Sequence, residues 1–314
     1  MQLIKSILEQ FSHTDLLHIR ALTTNILTGR LPHSEQSRLF WDHKGYTQNL
    51  NTATVNPSKD DLNIYKKYLT NENNSKNALL LGSTPMLRNL LSEAGFQNYV
   101  VTDFSFKTIE SSSRALDKLN IGIDIDNEIW LKSDWLEIPL EPESFDYIVG
   151  DMVFTQIEPG KQSLFVEKLA SLLKPEGHFV GRMHICNTNF DDMDPKTIIT
   201  EVLRSKDFQN TTEQRLGLLY KLRDRLRNKE NHITSIHTIT SELLQFKTAD
   251  EKGGDFLRTI VGTISRRADI GLSFITQTKE ELEKIILRKF IIEKIVTATD
   301  YYSEYFPIYV LRKK

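Results

Sequence analysis

Four short stretches of the chain place chemically useful side chains just after apolar runs. The first is Gly82-Ser83-Thr84-Pro85, which follows Ala78-Leu79-Leu80-Leu81. Glycine lets a backbone approach a ligand closely. A helix opening at Thr84-Pro85 would offer unpaired N–H groups and a positive dipole end to an anion such as a carboxylate. The second is Asp103 with Phe104, 21 positions after Gly82. A carboxylate at the end of a second strand is placed to accept hydrogen bonds from ribose hydroxyls. The third is Ser133-Asp134-Trp135, where Asp134 can accept from an exocyclic amine and Trp135 can pack on a flat base. The fourth is Gly150-Asp151-Met152. Together they describe a site for a nucleoside with a charged tail. Asp151 and His184 are the candidate general bases, a histidine because it titrates near neutrality. The lone Cys186 and the scattered histidines lack metal-ligand spacing, so no metal site is expected.

These residues need a scaffold, and its rhythm is legible. The polar stretch 71–77 marks a boundary. Before it, Leu3, Ile4, Leu8 and Phe11 give a helical periodicity, so 1–75 reads as an N-terminal helical segment. After it, strands at 78–81, 99–102, 129–131, 145–149 and 178–183 alternate with helices at 84–94, 105–119 and 161–173. Thr84 is a plausible N-cap, Pro85 suits the first helical position, and Gly95 stops that helix. The turn Pro175-Glu176-Gly177 leads into the fifth strand. Such alternation predicts an α/β fold with a parallel sheet covered on both faces. In open sheets of this kind ligands bind beyond the carboxyl ends of the strands, where the four stretches lie.

The alternation then breaks. Residues 187–277 read as a helical insertion, with a helix start at Asp194-Pro195 and a stripe of Leu216, Leu219, Leu222 and Leu226. The basic segment 215–229, with Arg223, Arg225, Arg227 and Lys229, reads as the solvated face of an amphipathic helix. Thr278 and Glu281 have the spacing of a capping box. Strands at 290–296 and 305–311 close the chain as an antiparallel hairpin. The aromatic cluster Tyr301, Tyr302, Tyr305 and Phe306 reads as packing around it. The expected domains are therefore 1–75; 76–186 with 278–314; and 187–277, the last a lid or acceptor-binding subdomain.

Composition narrows the function class. The 314 residues carry 40 Lys and Arg against 42 Asp and Glu, a formal net charge of -2. There is no global basic field of the kind that drives nonspecific nucleic-acid binding, so nucleic acid is not the expected partner. One cysteine excludes a disulfide framework and fits a reducing compartment. No apolar run reaches the length of a membrane span or a signal peptide. The expectation is a cytoplasmic protein with no membrane partner, for which a homodimer is open.

The order Gly82 loop, Asp103, Asp134, Gly150-Asp151 and Leu173-Lys174-Pro175-Glu176-Gly177 resembles class I S-adenosylmethionine (SAM)-dependent methyltransferases. The resemblance spans about 78–183 and 278–311. The loop Leu81-Gly82-Ser83-Thr84-Pro85 is similar to a bacterial subgroup reading Leu-Gly-x-Thr-Pro, and Phe40-Trp41, Pro57-Ser58 and Tyr65 are similar to its lead-in. The resemblance implies a Rossmann-like, seven-stranded, mostly parallel sheet with a C-terminal antiparallel hairpin. It implies SAM as cofactor, held by Gly82, Ser83, Thr84, Asp103, Phe104, Ser133, Asp134, Trp135, Asp151 and Met152. The chain departs from the wider family in keeping only Gly82 of a loop that usually has two or three glycines. The Asn/Asp-Pro-Pro-Tyr/Phe motif of base amino methylation is also absent: Gly150-Asp151-Met152-Val153 stands in its place. A small molecule or peptide is thus the expected acceptor. The rival readings are a non-catalytic SAM-binding or protein-interaction module, a nucleic-acid methyltransferase, and a nicotinamide-dependent oxidoreductase. The missing Gly-x-Gly-x-x-Gly and the terminal hairpin argue against the last.

Overall fold

The computed structural model describes residues 56–71, 75–118, 120–268, 273–300 and 302–314. The expected helical periodicity of residues 1–55, with Phe40-Trp41, lies outside the described residues, as does Tyr301. The chain divides into two compact units. One contains Thr188–Phe274; the other contains the described residues up to Asn187 and from Ile275.

The second unit is built on a seven-stranded sheet in the order β3-β2-β1-β4-β5-β9-β8. Its strands are β1 (Ala78–Leu81), β2 (Tyr99–Asp103), β3 (Glu128–Lys132), β4 (Phe145–Asp151), β5 (Leu173–Arg182), β8 (Phe290–Val296) and β9 (Ile308–Lys313). β1 to β5 run parallel, and β9 is antiparallel to both β5 and β8. Its helices are α1 (Lys59–Tyr68), α2 (Pro85–Glu93), α3 (Phe106–Lys118), α4 (Gln162–Leu172) and α9 (Lys279–Ile286). The first unit holds α5 (Pro195–Arg204), α6 (Thr212–Arg225), α7 (Ile236–Gln245), α8 (Glu251–Ala268) and the two-stranded pair β6 (Ile233–Ser235) and β7 (Ser273–Ile275).

The period-2 geometry of a strand sorts the sheet into two cores. Leu79, Leu81, Ile148 and Phe179 point to one face, where Phe165 and Leu169 of α4 and Leu282 and Ile286 of α9 cover them. Ala78, Leu80, Val149 and Val180 point to the other, against Tyr65 of α1, Leu87 and Leu91 of α2 and Ile109 of α3. Every residue of β1 and β2 is buried, as parallel strands covered on both faces must be. β3 is different. The connection from β3 to β4 contains no helix, and Ile129 and Trp130 stay exposed at that edge.

Local chemistry sets the helix ends. Pro85 sits at the start of α2, Ala94 caps its end, and Gly95 follows at φ 77°. Thr84 is the N-cap residue, yet its hydroxyl makes no capping bond. Asp194 caps α5 through the Lys196 amide, with Pro195 next. Thr278 and Glu281 form the full capping box of α9. Two strand starts lie more than one residue from the sequence expectation. β5 begins at Leu173, five residues early, and Lys174-Pro175-Glu176-Gly177 is an irregularity within its pairing, with Glu176 at φ 62°. β9 begins only at Ile308, because Ser303–Tyr305 forms a 3₁₀ turn.

The first unit has its own core, in which Ile198, Leu219, Leu222, Ile239, Phe256 and Ile260 meet, with Leu216 and Leu226 packed at its margin. The basic segment is not the solvated face expected. Arg223 and Arg227 are buried. Arg223 lies over the Tyr220 and Phe274 rings, and Arg227 reaches Asp191 and His232. The long stem of arginine packs well on apolar surface, so a charge at helical spacing need not face water. Lys229, 61 % exposed, does.

Candidate active site

The strand order reverses between β1 and β4: β1 turns toward β2 and β3, β4 toward β5. A crevice at the carboxyl ends of the strands opens at such a switch point. Gly82 leaves β1 there, at φ 81°, a left-handed conformation that a side chain strains. Its N–H donates to Thr102 O (2.8 Å), tying the loop to β2. A Cβ on Gly82 would meet only the Trp135 ring, at 3.6 Å, among the described residues. Glycine therefore leaves a cradle above the indole that a methyl group would fill.

Ser83 and Thr84 follow, both buried. Ser83 Oγ donates to Asp103 Oδ2 at 3.3 Å, and Ser112 Oγ donates to Ser83 O. Asp103, 5 % exposed, closes β2, and its Oδ1 accepts the Ser105 N–H at 3.0 Å. Phe104 is half-buried beside it. Ser133 N donates to Asp103 O at 3.1 Å, which brings the ends of β2 and β3 together. Asp134 is exposed and accepts the Leu136 amide of its own loop at 2.9 Å. Trp135 is buried beneath Gly82, donates Nε1–H to Thr102 O (3.2 Å) and stacks on Phe165. The sheet thus gathers Gly82, Ser83, Asp103, Ser133 and Trp135 at one end.

On the other side of the switch point stand Gly150, Asp151 and Met152. The Asp151 carboxylate grips Arg182 with both oxygens, Oδ1 to Nε at 2.7 Å and Oδ2 to Nη2 at 3.0 Å. Arg182 Nη1 meets Asp61 Oδ2 of α1 at 2.9 Å. All three side chains are at most 4 % exposed. Bidentate carboxylate contacts are among the strongest charge-assisted hydrogen bonds. Burial by itself would lower the Arg182 pKa; Asp151 and then Asp61 more than offset this, so it is raised and the guanidinium stays charged. Burial pushes the Asp61 carboxyl up, and Arg182 pulls it back. Tyr65 inserts its hydroxyl beside this group: it donates to Gly150 O (2.8 Å) and accepts Arg182 N–H (2.7 Å). Burial holds its phenol well above the usual range, with Asp151 adding to the rise. Met152 follows in a left-handed conformation, φ 53°, anchored by its N–H to Arg182 O at 2.8 Å.

His184 follows β5 and is buried, its ring 5.1 Å from that of Phe306. Tyr305 and Phe306 are buried in the turn before β9. Cys186 is buried. Among the described residues, no group of three or more His, Cys, Asp or Glu is placed to hold a metal ion, and no helix is long and apolar enough to cross a membrane.

Sequence reasoning did not single out Asp61 or Arg182 for the site, and it met Tyr65 only in a lead-in. Two signals pointed to them. Ser58 and Asp61 stand three apart, and they form a reciprocal capping box that orients α1. Arg182 lies in the apolar run Phe179-Val180-Gly181-Arg182-Met183, where a cation needs a buried partner.

Residues 81–181 match the family model described as "Methyltransferase domain". No curated protein sequence matches the chain. Among solved structures, a chain from Rhodobacter sphaeroides provisionally described as a Zn-dependent alcohol dehydrogenase is 14% identical, covers 90% of this chain and 98% of its own, and has a TM-score of 0.52. A SAM-dependent methyltransferase from Methanosarcina mazei is 15% identical, with 80% and 96% covered and a TM-score of 0.46. The N-methyltransferase NodS from Bradyrhizobium japonicum, in complex with S-adenosyl-L-homocysteine (SAH), is 11% identical, with 90% and 97% covered and a TM-score of 0.45. At such identities the structural likeness speaks to fold alone, and the assigned activity of the first is that protein's own. Residues 81–181, which run from the end of β1 into β5, thus carry a methyltransferase domain on a Rossmann-like sheet.

Proposed function

We propose that the chain transfers the SAM methyl group to a nucleophile on a small molecule or peptide, with the cofactor lying across the carboxyl ends of β1 to β4. The observation that carries this reading is the Gly82 cradle: a left-handed glycine over Trp135, a helix start without a side-chain cap, and Asp103 one strand away. In this reading the first amides of α2, with Ser83 and Thr84, take the cofactor's carboxylate. Asp103, beside Phe104, takes the ribose hydroxyls. Ser133 and Asp134 lie toward the adenine amine, with Trp135 as the floor under Gly82. Asp151 and Met152 border the reacting end, where Arg182 fixes their position. The loop fits the bacterial Leu-Gly-x-Thr-Pro subgroup.

The sulfonium supplies an electrophilic methyl group, so the chain's task is to hold two reactants in line and exclude water. No general base is required of Asp151, whose carboxylate is engaged by Arg182. His184 stays the candidate for accepting an acceptor proton. We assign acceptor selection to the 188–274 unit from its place in the chain. It leaves and rejoins at the carboxyl end of β5, where Ile185 pairs with Gln277 and Cys186 N–H donates to Gln277 O at 2.8 Å. The balanced charge suits a reading without nucleic acid, and the single cysteine suits a cytoplasmic one.

Calorimetric titration with SAM and SAH, on wild type and Asp103→Ala, tests the assignment. Removing one buried hydrogen-bonding partner costs about 1–3 kcal/mol. Binding weakened by that amount supports it. Unchanged binding in the variant, or none in cofactor-stripped wild type, removes the site.

A further inference from the structure

One feature of the site lies largely outside the matched domain: Asp61 and Tyr65 come from α1, ahead of residue 81. With Arg182 and Asp151 they make a buried group of two carboxylates and one guanidinium, each side chain at most 4 % exposed. Its formal sum is one negative charge. A mere strand-pinning ion pair would need one carboxylate. Asp151 already meets Arg182 with both oxygens, so among the described residues Asp61 is the surplus anion. Its Oδ2 is used by Arg182 and by the Ser58 amide, but its Oδ1 is buried and meets no donor among the described residues. A buried acceptor left unpaired is costly and asks for a reason. The group sits at the carboxyl ends of β4 and β5, beside the switch point, where low dielectric leaves its field weakly screened.

We infer that the Asp61–Arg182–Asp151 triad makes the site prefer a cationic ligand over a neutral one, and so favours SAM, whose sulfonium is positive, over SAH, whose thioether is not. Asp61 is the residue that sets this preference, and Arg182 and Tyr65 position it against the ends of β4 and β5. The inference rests on the cofactor reading above and deepens it. Product release follows from the same charge: once the methyl group has left, the ligand loses the positive charge that the triad favours.

The test is the affinity of SAM and of SAH, each measured by calorimetry on wild type and on Asp61→Asn, which keeps shape and hydrogen-bonding capacity but removes the charge. One elementary charge acting across roughly 10 Å at an effective dielectric of about 20 changes a cation's affinity by on the order of tenfold. The expected result is SAM weakened about tenfold and SAH changed by less than about twofold. A purely structural role would weaken both alike. Parallel loss, or no loss of either, overturns the inference while leaving the cofactor site standing. A wild type that binds neither ligand overturns the cofactor reading itself. Should Asp61→Asn not fold, the wild type supplies a second measurement. A buried charge is poorly screened, so the ratio of SAM to SAH affinity should hold from low to high salt. A ratio that collapses with salt places the selectivity at the surface and overturns the triad.

Discussion

Replacing Arg182 by methionine is the sharpest perturbation of the site that needs no acceptor. Among the described residues the guanidinium is the sole cation facing Asp151 and Asp61 in the ion pairs at the ends of β4 and β5, with contacts of 2.7 to 3.0 Å. At an effective dielectric of about 20, a charge pair near 4 Å attracts by about 4 kcal/mol, and the desolvation of three buried groups opposes it. Methionine fills much of the volume but strands two buried carboxylates beside each other. Removing one partner of a buried pair costs about 3–5 kcal/mol, which for a unit of this size is a drop in Tm of roughly 6–20 °C. The pH dependence carries a sign. Burial already raises the Asp61 carboxyl, and without Arg182 to pull it back its folded-state pKa rises further above its unfolded one. It then contributes stability below its unfolded pKa, and that stability is lost as pH rises through the folded value. Arg182→Met should therefore recover toward wild type as pH falls from neutral into the acidic range, down to where acid unfolding of the whole protein sets in. Melting followed by circular dichroism at several pH values reads this directly. A variant that melts within 2 °C of wild type at neutral pH, with the same pH profile, would show that the two aspartates do not depend on Arg182.

Other sites give independent tests. Gly82→Ala forces a side chain into φ 81°, so it should cost about 1–2 kcal/mol and shrink the Tm rise that SAM produces; an equal SAM shift in the variant counts against the cradle. Arg88, fully buried on Glu128 (2.6 Å) and bonded to Ile109 O and Ser112, ties α2 to β3 and α3. Arg88→Met should lose about 3–5 kcal/mol by urea denaturation, with a Tyr99 hydroxyl left on an unpaired Glu128. Thr278→Ala removes one half of the α9 capping box and should cost about 1 kcal/mol; a loss above 3 kcal/mol would mean Thr278 does more than cap. Tyr65, Tyr99 and Tyr309 all have phenols raised above the usual value, each chiefly by burial. Their raised folded pKa means stability that is full below the phenol's ordinary value near 10 and lost as pH rises further. Tyrosinate absorbance should thus appear in two stages, the later one coinciding with unfolding; a single early stage would place these phenols in water.

What could be read from the chain alone was whatever rests on local pattern. Short apolar runs at 78–81 and 145–149, the Pro85 and Gly95 punctuation and the Thr278–Glu281 spacing are set by neighbours in sequence, and they predicted the α/β sheet, its helices and its terminal hairpin. The strand-end positions of Gly82, Asp103, Asp134 and Asp151 followed, because a strand's end is a local property and the switch point is a rule of the fold. Side-chain partnerships are not local. That Asp151 is held by Arg182, that α1 reaches in with Asp61 and Tyr65, and that Trp135 lies under Gly82 rather than beside open solvent depend on residues up to 121 positions apart. Arg223 and Arg227 make the same point in the other unit: their helical spacing is that of a solvated face, and packing against Tyr220, Phe274 and Asp191 buries them. Periodicity says which way a side chain leaves the backbone, but only the assembled core decides what it meets there and therefore what charge, solvent and partner it has.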